Sequence, residues 1–419
     1  MNGGDGDIDG GTAIINISGN PIIRTGSIGG GQTKATNGQI GSAQITVSGG
    51  DIQAQFVMAA GAKAIPTFTM NGGIIRNSYV DDEEYIHIQK KGGAVYLEDG
   101  TFEMTGGIIK NCSAEQGGAV YINSQSGTSR FTMKGGEIHS CFATGKYNDG
   151  RTGLIEQGHG GAVCLMGGEV NMTGGKIWNN YSENGDGGAI YISNGNFSMK
   201  EGSPTITGNA AHKGNGGGVF VSSEEGNSVE VELLQGIITG NTANNYGGGV
   251  CVDMGDTQNK ATVTVGAEGQ GVTEQDANPK ITSNMAMMAG GGLYVRGEKA
   301  GITIHSGMID GNDVSAYVKN ENVANHLGEV NLIDGLVTHV VVTFDGNGGT
   351  LDGAATDTQK IVKDTNSKLK ANSFVLGGHN FNGWNTRKDG KGTSYSDRGF
   401  IVASEPVTLY AQWKSQTSN

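Results

Sequence analysis

Short runs in which apolar and polar residues alternate recur along most of this chain, and each is introduced by glycine. Gly187-Gly188-Ala189-Ile190-Tyr191-Ile192 sets the type, with variants at 92–97, 117–122, 160–165, 216–221, 247–252 and 290–295. A period of two after paired glycines predicts a tight turn feeding a strand. A second phrase alternates with the first at 68–77, 102–111, 131–140 and 170–179, with weaker copies at 197–202, 231–238 and 302–309. It reads as a strand, a Gly-Gly corner and a second strand. No long stretch carries the 3.6-residue apolar spacing of a helix.

One cycle therefore holds three short strands separated by turn residues. Self-similarity over a few tens of residues marks a solenoid, in which no repeat buries its apolar face alone. The predicted fold class is all-β, a parallel β-helix of roughly ten coils, with coils about 4.8 Å apart. Crossover sterics favour right-handed winding. Residues 66–312 form the regular part. Residues 1–65 read as a divergent N-terminal cap with the first coils, because a terminal repeat must close an apolar end. Residues 313–338 read as a last coil or a linker. From His339 the pattern changes, and 339–414 reads as a separate small α+β domain, about the minimum size to fold alone. Residues 415–419 are a tail.

Alignment on one isoleucine per cycle gives Ile75, Ile109, Ile138, Ile177, Ile206, Ile238, Ile281 and Ile309. Two residues later stand Asn77, Asn111, Ser140, Asn179, Gly208, Gly240, Ser283 and Gly311, a column in which Asn and Gly favour a left-handed bend. The next column is Ser78, Cys112 and Cys141, then Asn180, Asn209, Asn241, Asn284 and Asn312. Five stacked asparagines predict a structural ladder, each amide bonding the next, because an unsatisfied buried amide costs a few kcal/mol. Small residues follow two positions on: Ala114, Ala143, Ser182, Ala211, Ala243 and Ala286.

Alternation in the Gly-Gly strand points Val95, Val120, Val163, Ile190, Val219, Val250 and Leu293 inward. Tyr96, Tyr121, Cys164, Tyr191, Phe220, Cys251 and Tyr294 then take the other face. That aromatic column would serve a linear glycan as a stacking platform, although cysteines at two rungs favour packing under a neighbouring element. The outward residues after the aligned isoleucines are Arg76, Lys110, His139 and Trp178, followed by Thr207, Thr239, Thr282 and Asp310. Like charges stacked at strand spacing repel. A short basic strip ending in tryptophan is therefore a candidate ligand-binding face for an acidic sugar or a carboxylate. The competing account is that cationic stems only cover the sheet and keep it soluble. Long insertions at 79–89 and 144–159 are expected to leave one corner, and 266–279 another.

The net charge of −13 and pI near 5.1 speak against a nucleic-acid partner, which would call for a basic face. Glycine, 76 of 419 residues, gathers at corners without the collagen period. No apolar run is long enough to span a bilayer, so no membrane insertion is expected. The opening MNGGDGDIDG lacks the parts of a signal peptide, so the chain reads either as cytosolic or, the preferred reading, as a piece of a larger secreted protein. Asp5, Asp7 and Asp9 match no calcium loop in register. Cys112 and Cys141 share a column on neighbouring coils. Cys164 and Cys251 lie three coils apart, about 14 Å and too far to bridge, so four free cysteines are expected. With no C-x-x-C and dispersed histidines, no metal site or cofactor is expected. Clustered acids fall in insertions and turns (Asp81, Asp82, Glu83, Glu84, Glu224, Glu225) and not as the paired carboxylates that glycosidic hydrolysis needs.

Residues 66–312, with F-x-M-x-G-G-x-I-x-N-N-x-A followed by G-G-x-V-Y, resemble the right-handed parallel β-helix repeats of large bacterial surface proteins. The C-terminal segment resembles the internalin-type B repeat, a β-grasp module. The matching residues are Val342, Thr343, Phe344, Asp345, Asn347, Gly348 and Gly349, then Gly383-Trp384 and Leu409-Tyr410-Ala411-Gln412-Trp413. It departs from that pattern at 373–384, where a proline-rich stretch is usual. The resemblance implies that Trp384 and Trp413 are buried core residues. It further implies a non-enzymatic extracellular bacterial protein, displayed or released, with the module as spacer or binding unit. The expected role is an adhesin or stalk that meets a surface glycan or protein as a monomer. A carbohydrate-active enzyme on a β-helix and a pure spacer are the alternatives.

Overall fold

A computed structural model describes residues 13–30, 43–59, 66–76, 89–124, 129–145, 157–223, 228–255, 260–268, 278–297, 299–314, 323–326, 329–332, 336–337, 339–363 and 366–416. The chain divides into two compact units, the first ending at Leu336 and the second running from Val337. No helix occurs among the described residues.

The first unit is a solenoid of parallel strands gathered into a 25-stranded and an 8-stranded sheet. Its registers repeat position for position. Ile15, Ile45, Phe68, Phe102, Phe131, Val170, Phe197, Val231, Val263, Ile302 and Val330 stand opposite one another in turn. The isoleucines aligned above likewise face each other from rung to rung, and Ile23 and Ile52 extend the column. Inside, the phenylalanines form their own stack, with ring centroids 4.8 Å apart for Phe68 and Phe102 and 4.7 Å for Phe102 and Phe131. Each buried ring contributes about 1.5–3 kcal/mol of transfer free energy, and no rung can realise that gain without its neighbours.

Both glycines of the repeated pair are required, for different reasons. Gly187 has φ +71°, in the left-handed region, and a Cβ there would lie 2.5 Å from the Ile190 carbonyl oxygen. A Cβ on Gly188 would meet the carbonyl oxygen of Gly217 on the next coil at 2.2 Å. The first glycine makes the turn, and the second lets adjacent coils approach. The predicted bend column is left-handed at Asn111, Ser140, Asn179 and Ser283 (φ 52–55°) and at Gly208, Gly240 and Gly311. Asn77 lies outside the described residues.

Early and late coils continue the same winding. Strands Ala13–Ile17, Ile22–Gly30 and Ala43–Ala59 form the first rungs. After Asn312, strands Val323–His326, Glu329–Leu332 and Leu336–Val337 pair with strands of the coil before them. The two long insertions leave different corners, not one. Arg76 faces Lys110 and Gln89 faces Ala114, which places the first insertion ahead of the 8-stranded sheet. Ala143 also faces Ala114, which places the second behind it. One-dimensional alignment missed this because Asn, Ser and Gly punctuate both ends of that short strand.

The second unit is a mixed five-stranded sheet in the order Thr356–Val362, His339–Asp345, Val407–Ser415, His379–Asn385, Ser394–Tyr395. His339–Asp345 and Val407–Ser415 are parallel and the other pairings antiparallel. The α+β expectation is corrected: where a helix was expected, the chain makes an exposed edge strand and a small hairpin-like pair, Ser367–Lys368 with Phe400–Ile401. Trp384 is 1% exposed and meets Phe344, Phe381 and Phe374 edge-on at 4.7, 4.9 and 6.0 Å. Trp413 is only partly buried, contrary to expectation, because its Nε1 reaches out to donate to the Gly346 carbonyl at 2.9 Å. Asn347, at φ +46°, accounts for the D-x-N-G-G motif: its backbone N–H donates to Asp345 Oδ1 and its amide to the Ala411 carbonyl.

Candidate functional site

The bend after the second strand carries the asparagines. Asn180 Nδ2 donates to Asn209 Oδ1 at 3.0 Å, and the same bond runs from Asn209 to Asn241, Asn241 to Asn284 and Asn284 to Asn312 at 2.9 Å. The second amide hydrogen goes to an isoleucine carbonyl of the preceding coil, as from Asn209 to Ile177 at 3.1 Å. Each Oδ1 also accepts the backbone N–H of the residue below it, Asn180 to Asn209 and Asn209 to Asn241 at 3.0 Å. Every polar atom of these buried amides thus has a partner, and the column is structural. Cys141 N–H donates to Asn180 Oδ1 at 2.9 Å, ending the ladder. The Cys112 and Cys141 thiols donate to the Lys110 and His139 carbonyls at 3.3 and 3.2 Å. None of the four cysteines is in a disulfide, and all are buried.

On the outer face of the second strand, Arg76, Lys110, His139 and Trp178 occupy four consecutive rungs in register. Thr207, Thr239, Thr282 and Asp310 continue the line. The four are brought together, but not as a row of free cations. Arg76 Nε and Nη2 donate to the two carboxylate oxygens of Asp51 at 2.7 and 2.6 Å, a bidentate fork that holds the Asp51 carboxyl below the usual range. The His139 and Trp178 rings stack at 4.4 Å. Trp178 Nε1 donates to Glu137 Oε2 at 2.9 Å, and the Lys176 ammonium sits 5.1 Å from the indole centroid. The indole therefore offers a ligand less open face than its position in sequence suggests. Burial, reinforced by Lys110 and opposed by Glu137, lowers the His139 pKa, so the imidazole is neutral at neutral pH.

The tyrosine column is in register as well, but it is covered. Lys91 Nζ lies 4.9 Å from the Tyr121 ring, His159 stacks on Tyr191 at 4.2 Å and Tyr246 on Tyr294 at 4.5 Å. Tyr121, Phe220 and Tyr294 are buried, and burial pushes the Tyr191 phenol up to about 12 and the Cys164 thiol up. From Tyr121 to Tyr294 these rings pack the wall of the coil, while Tyr96, half-buried, stacks on Tyr121 at 5.9 Å.

The covering residues form a second polar ladder, which sequence reasoning missed. His159 N–H donates to Gln116 Oε1, Asp186 N–H to His159 Nδ1, Asn215 N–H to Asp186 Oδ1 and Tyr246 N–H to Asn215 Oδ1, at 2.8–3.3 Å. Each acceptor is the residue directly before the glycine pair. A polar side chain fixed at that offset was the available signal. Because His159 Nδ1 accepts, the ring is neutral here, and burial lowers its pKa to about 4.

Carboxylates on the first-strand face meet cations: Lys134 and Glu103 at 2.9 Å, Arg130 and Glu169 at 2.9 Å, and Lys200 with Glu232. Among the described residues no group of three or more His, Cys, Asp or Glu side chains could hold a metal ion. Asp5, Asp7, Asp9, Ser78, Asp81, Asp82, Glu83, Glu84, Glu224 and Glu225 lie outside the described residues.

Residues 341–412 match the Listeria-Bacteroides repeat domain, a repeat typical of bacterial surface proteins. Two proteins of Evansella cellulosilytica are similar over short stretches. One, named "Putative Gly-rich membrane protein", is 40% identical over 75 residues, 17% of this chain and 9% of that protein. The other, named "Putative membrane protein", is 38% identical over 80 residues, 18% of this chain and 12% of that protein. The chain thus matches about a tenth of these relatives' length. No solved structure matches the chain.

Proposed function

We propose that this protein is a non-enzymatic part of a bacterial cell-surface adhesin or stalk, located outside the cell. In this reading a right-handed parallel β-helix presents the outward strip of Arg76, Lys110, His139 and Trp178 to a surface glycan, and a β-grasp-like module that lacks the helix serves as spacer. The observation that carries it is the register. Four chemically distinctive side chains, separated by tens of residues, are set on four successive rungs of a rigid sheet. Pre-ordered side chains lose little entropy on binding. The surface-protein repeat and the relatives named as membrane proteins support the location. The test is a glycan array probed with the whole chain and with Lys110→Gln/Trp178→Ala. Saturable binding that the double variant loses by about tenfold or more supports the strip. Equal binding by both would reject it. Release of oligosaccharide from any polysaccharide on prolonged incubation would instead favour the enzyme.

A further inference from the structure

We infer that the strip is part of a longer track, reaching back to Arg24 and sideways to Lys176, on which a linear acidic polysaccharide lies parallel to the solenoid axis; this rests on the strip being a glycan-binding face. Register is the first ground. Ile22, Asp51, Ile74, Ile108, Glu137 and Lys176 face one another in turn along one outer face. Two residues on, Arg24, Gln53, Arg76, Lys110, His139 and Trp178 run beside them on the same six rungs. The two columns carry four cations (Arg24, Arg76, Lys110, Lys176) against two carboxylates (Asp51, Glu137), a net positive face on a chain of net charge −13. Asp51 forks Arg76, whereas Arg24, Lys110 and Lys176 make no ion pair among the described residues, although Lys176 faces Glu137 in register. Arg76 chiefly, then Lys110 and Arg24, hold the Asp51 carboxyl below the usual range, so one carboxylate serves three cations. Such a face complements an anionic ligand.

Spacing and apolar content are the second ground. Arg24 and Lys110 stand three rungs apart and Lys110 and Lys176 two, about 14 and 10 Å along the axis at strand spacing. Acidic groups on every second sugar of an extended chain recur on that scale, since a pyranose spans about the height of a rung. On three rungs an isoleucine stands two residues before the cation on the same face: Ile22 with Arg24, Ile74 with Arg76 and Ile108 with Lys110. Ile22 is 70% exposed, and Ile74 and Ile108 are half-buried. Farther along, the His139–Trp178 stack supplies the apolar surface. An acidic sugar has both parts such a rung asks for: C–H groups for the apolar surface and a carboxylate for the cation. Gly72, Gly106, Gly135 and Gly174 border the track on one side, and the bend residues Asn111, Ser140 and Asn179 on the other. Neither border carries a charge at these positions.

The experiment titrates the whole chain with hyaluronan fragments from disaccharide to decasaccharide, each disaccharide carrying one carboxylate. The track covers five rung steps, about 24 Å. Affinity should rise about tenfold or more from the disaccharide to the hexasaccharide and level off beyond it. Arg24→Gln should weaken the hexasaccharide about fivefold yet leave the disaccharide within about twofold, which also shows the variant to be folded. Lys176→Gln should weaken the hexasaccharide comparably. Lys260→Gln, which removes an exposed cation outside the two columns, should leave every fragment within about twofold. Affinity that stays flat with length, or an Arg24→Gln variant that binds every fragment like the parent, would overturn the track and leave the four-residue face standing. An equal loss in Lys260→Gln would reduce the effect to bulk charge and overturn it as well. So would chitin fragments that bind as tightly as hyaluronan, or tighter hexasaccharide binding after Asp81, Asp82, Glu83 and Glu84 are changed to amides. Preference for a poly-glutamate peptide over every saccharide, or no binding to any probe, would bring down the glycan-face reading itself.

Discussion

In the solenoid, Phe68, Phe102 and Phe131 are each buried mainly against the same position of the coils on either side. In the C-terminal module, Trp384 is buried by Phe344 and Phe381 of one five-stranded sheet and by Phe374 from the segment ahead of its fourth strand, positions unrelated in sequence. Both cores exclude water from aromatic rings, yet they distribute the consequences of damage differently. A solenoid core is a chain of nearest-neighbour contacts, so a defect is shared with adjacent rungs and fades with distance. The module has one core, and every strand depends on it.

The sharpest test of that contrast is Trp384→Ala. It should cost about 3–5 kcal/mol, enough to abolish hydrogen-exchange protection across 340–413 together, while 67–310 keeps its protection. Protection that survives in part of the module would mean the core is subdivided. A rung-level counterpart is Asn241→Ala, which strands the Asn209 backbone N–H and side-chain amide and should cost about 2–4 kcal/mol. Here exchange should rise most between 206 and 284 and decay towards both ends. A uniform loss over the whole solenoid would contradict nearest-neighbour behaviour.

Acid provides a third probe, of comparable or smaller size. Burial holds the His159 pKa near 4, below its unperturbed 6.5. The unfolded chain therefore binds more protons between these values. Its contribution is fully present above pH 6.5 and is lost as pH falls through 4, by roughly 3 kcal/mol in all. Asp186, raised by burial, has the opposite sign, favouring the fold as pH falls through its own pKa. In urea melts, His159→Gln, which keeps an acceptor for the Asp186 N–H, should flatten the decline between pH 6.5 and 4. An unchanged decline would place the proton elsewhere. The smallest effect is expected on the surface: Asp51→Asn/Arg76→Gln should shift stability by no more than about 1 kcal/mol, because half-exposed ion pairs are worth little. A larger loss would show the fork to be part of the rung's framework.

Much of the solenoid was legible because its neighbours in space are the same letters of the next repeat. The aligned isoleucines, the left-handed bend and the Asn180-to-Asn312 column all follow from lining copies up, and the order of the candidate strip does too. Its electrostatics do not. Asp51 lies on a neighbouring rung in a different column from Arg76, and no alignment by column pairs them. The ladder through Gln116, His159, Asp186 and Asn215 was hidden because its members share an acceptor atom rather than a residue type.

What the amino-acid order determined by itself is the period, the inward columns and the rung-to-rung register, since these depend only on spacing along the chain. What the tertiary structure alone decided is lateral. It set which cation meets which carboxylate, which aromatic column is roofed over, at which corner an insertion leaves, and how the module closes without a helix. Those outcomes depend on side chains from different columns, or from distant strands, competing for the same space and the same charge.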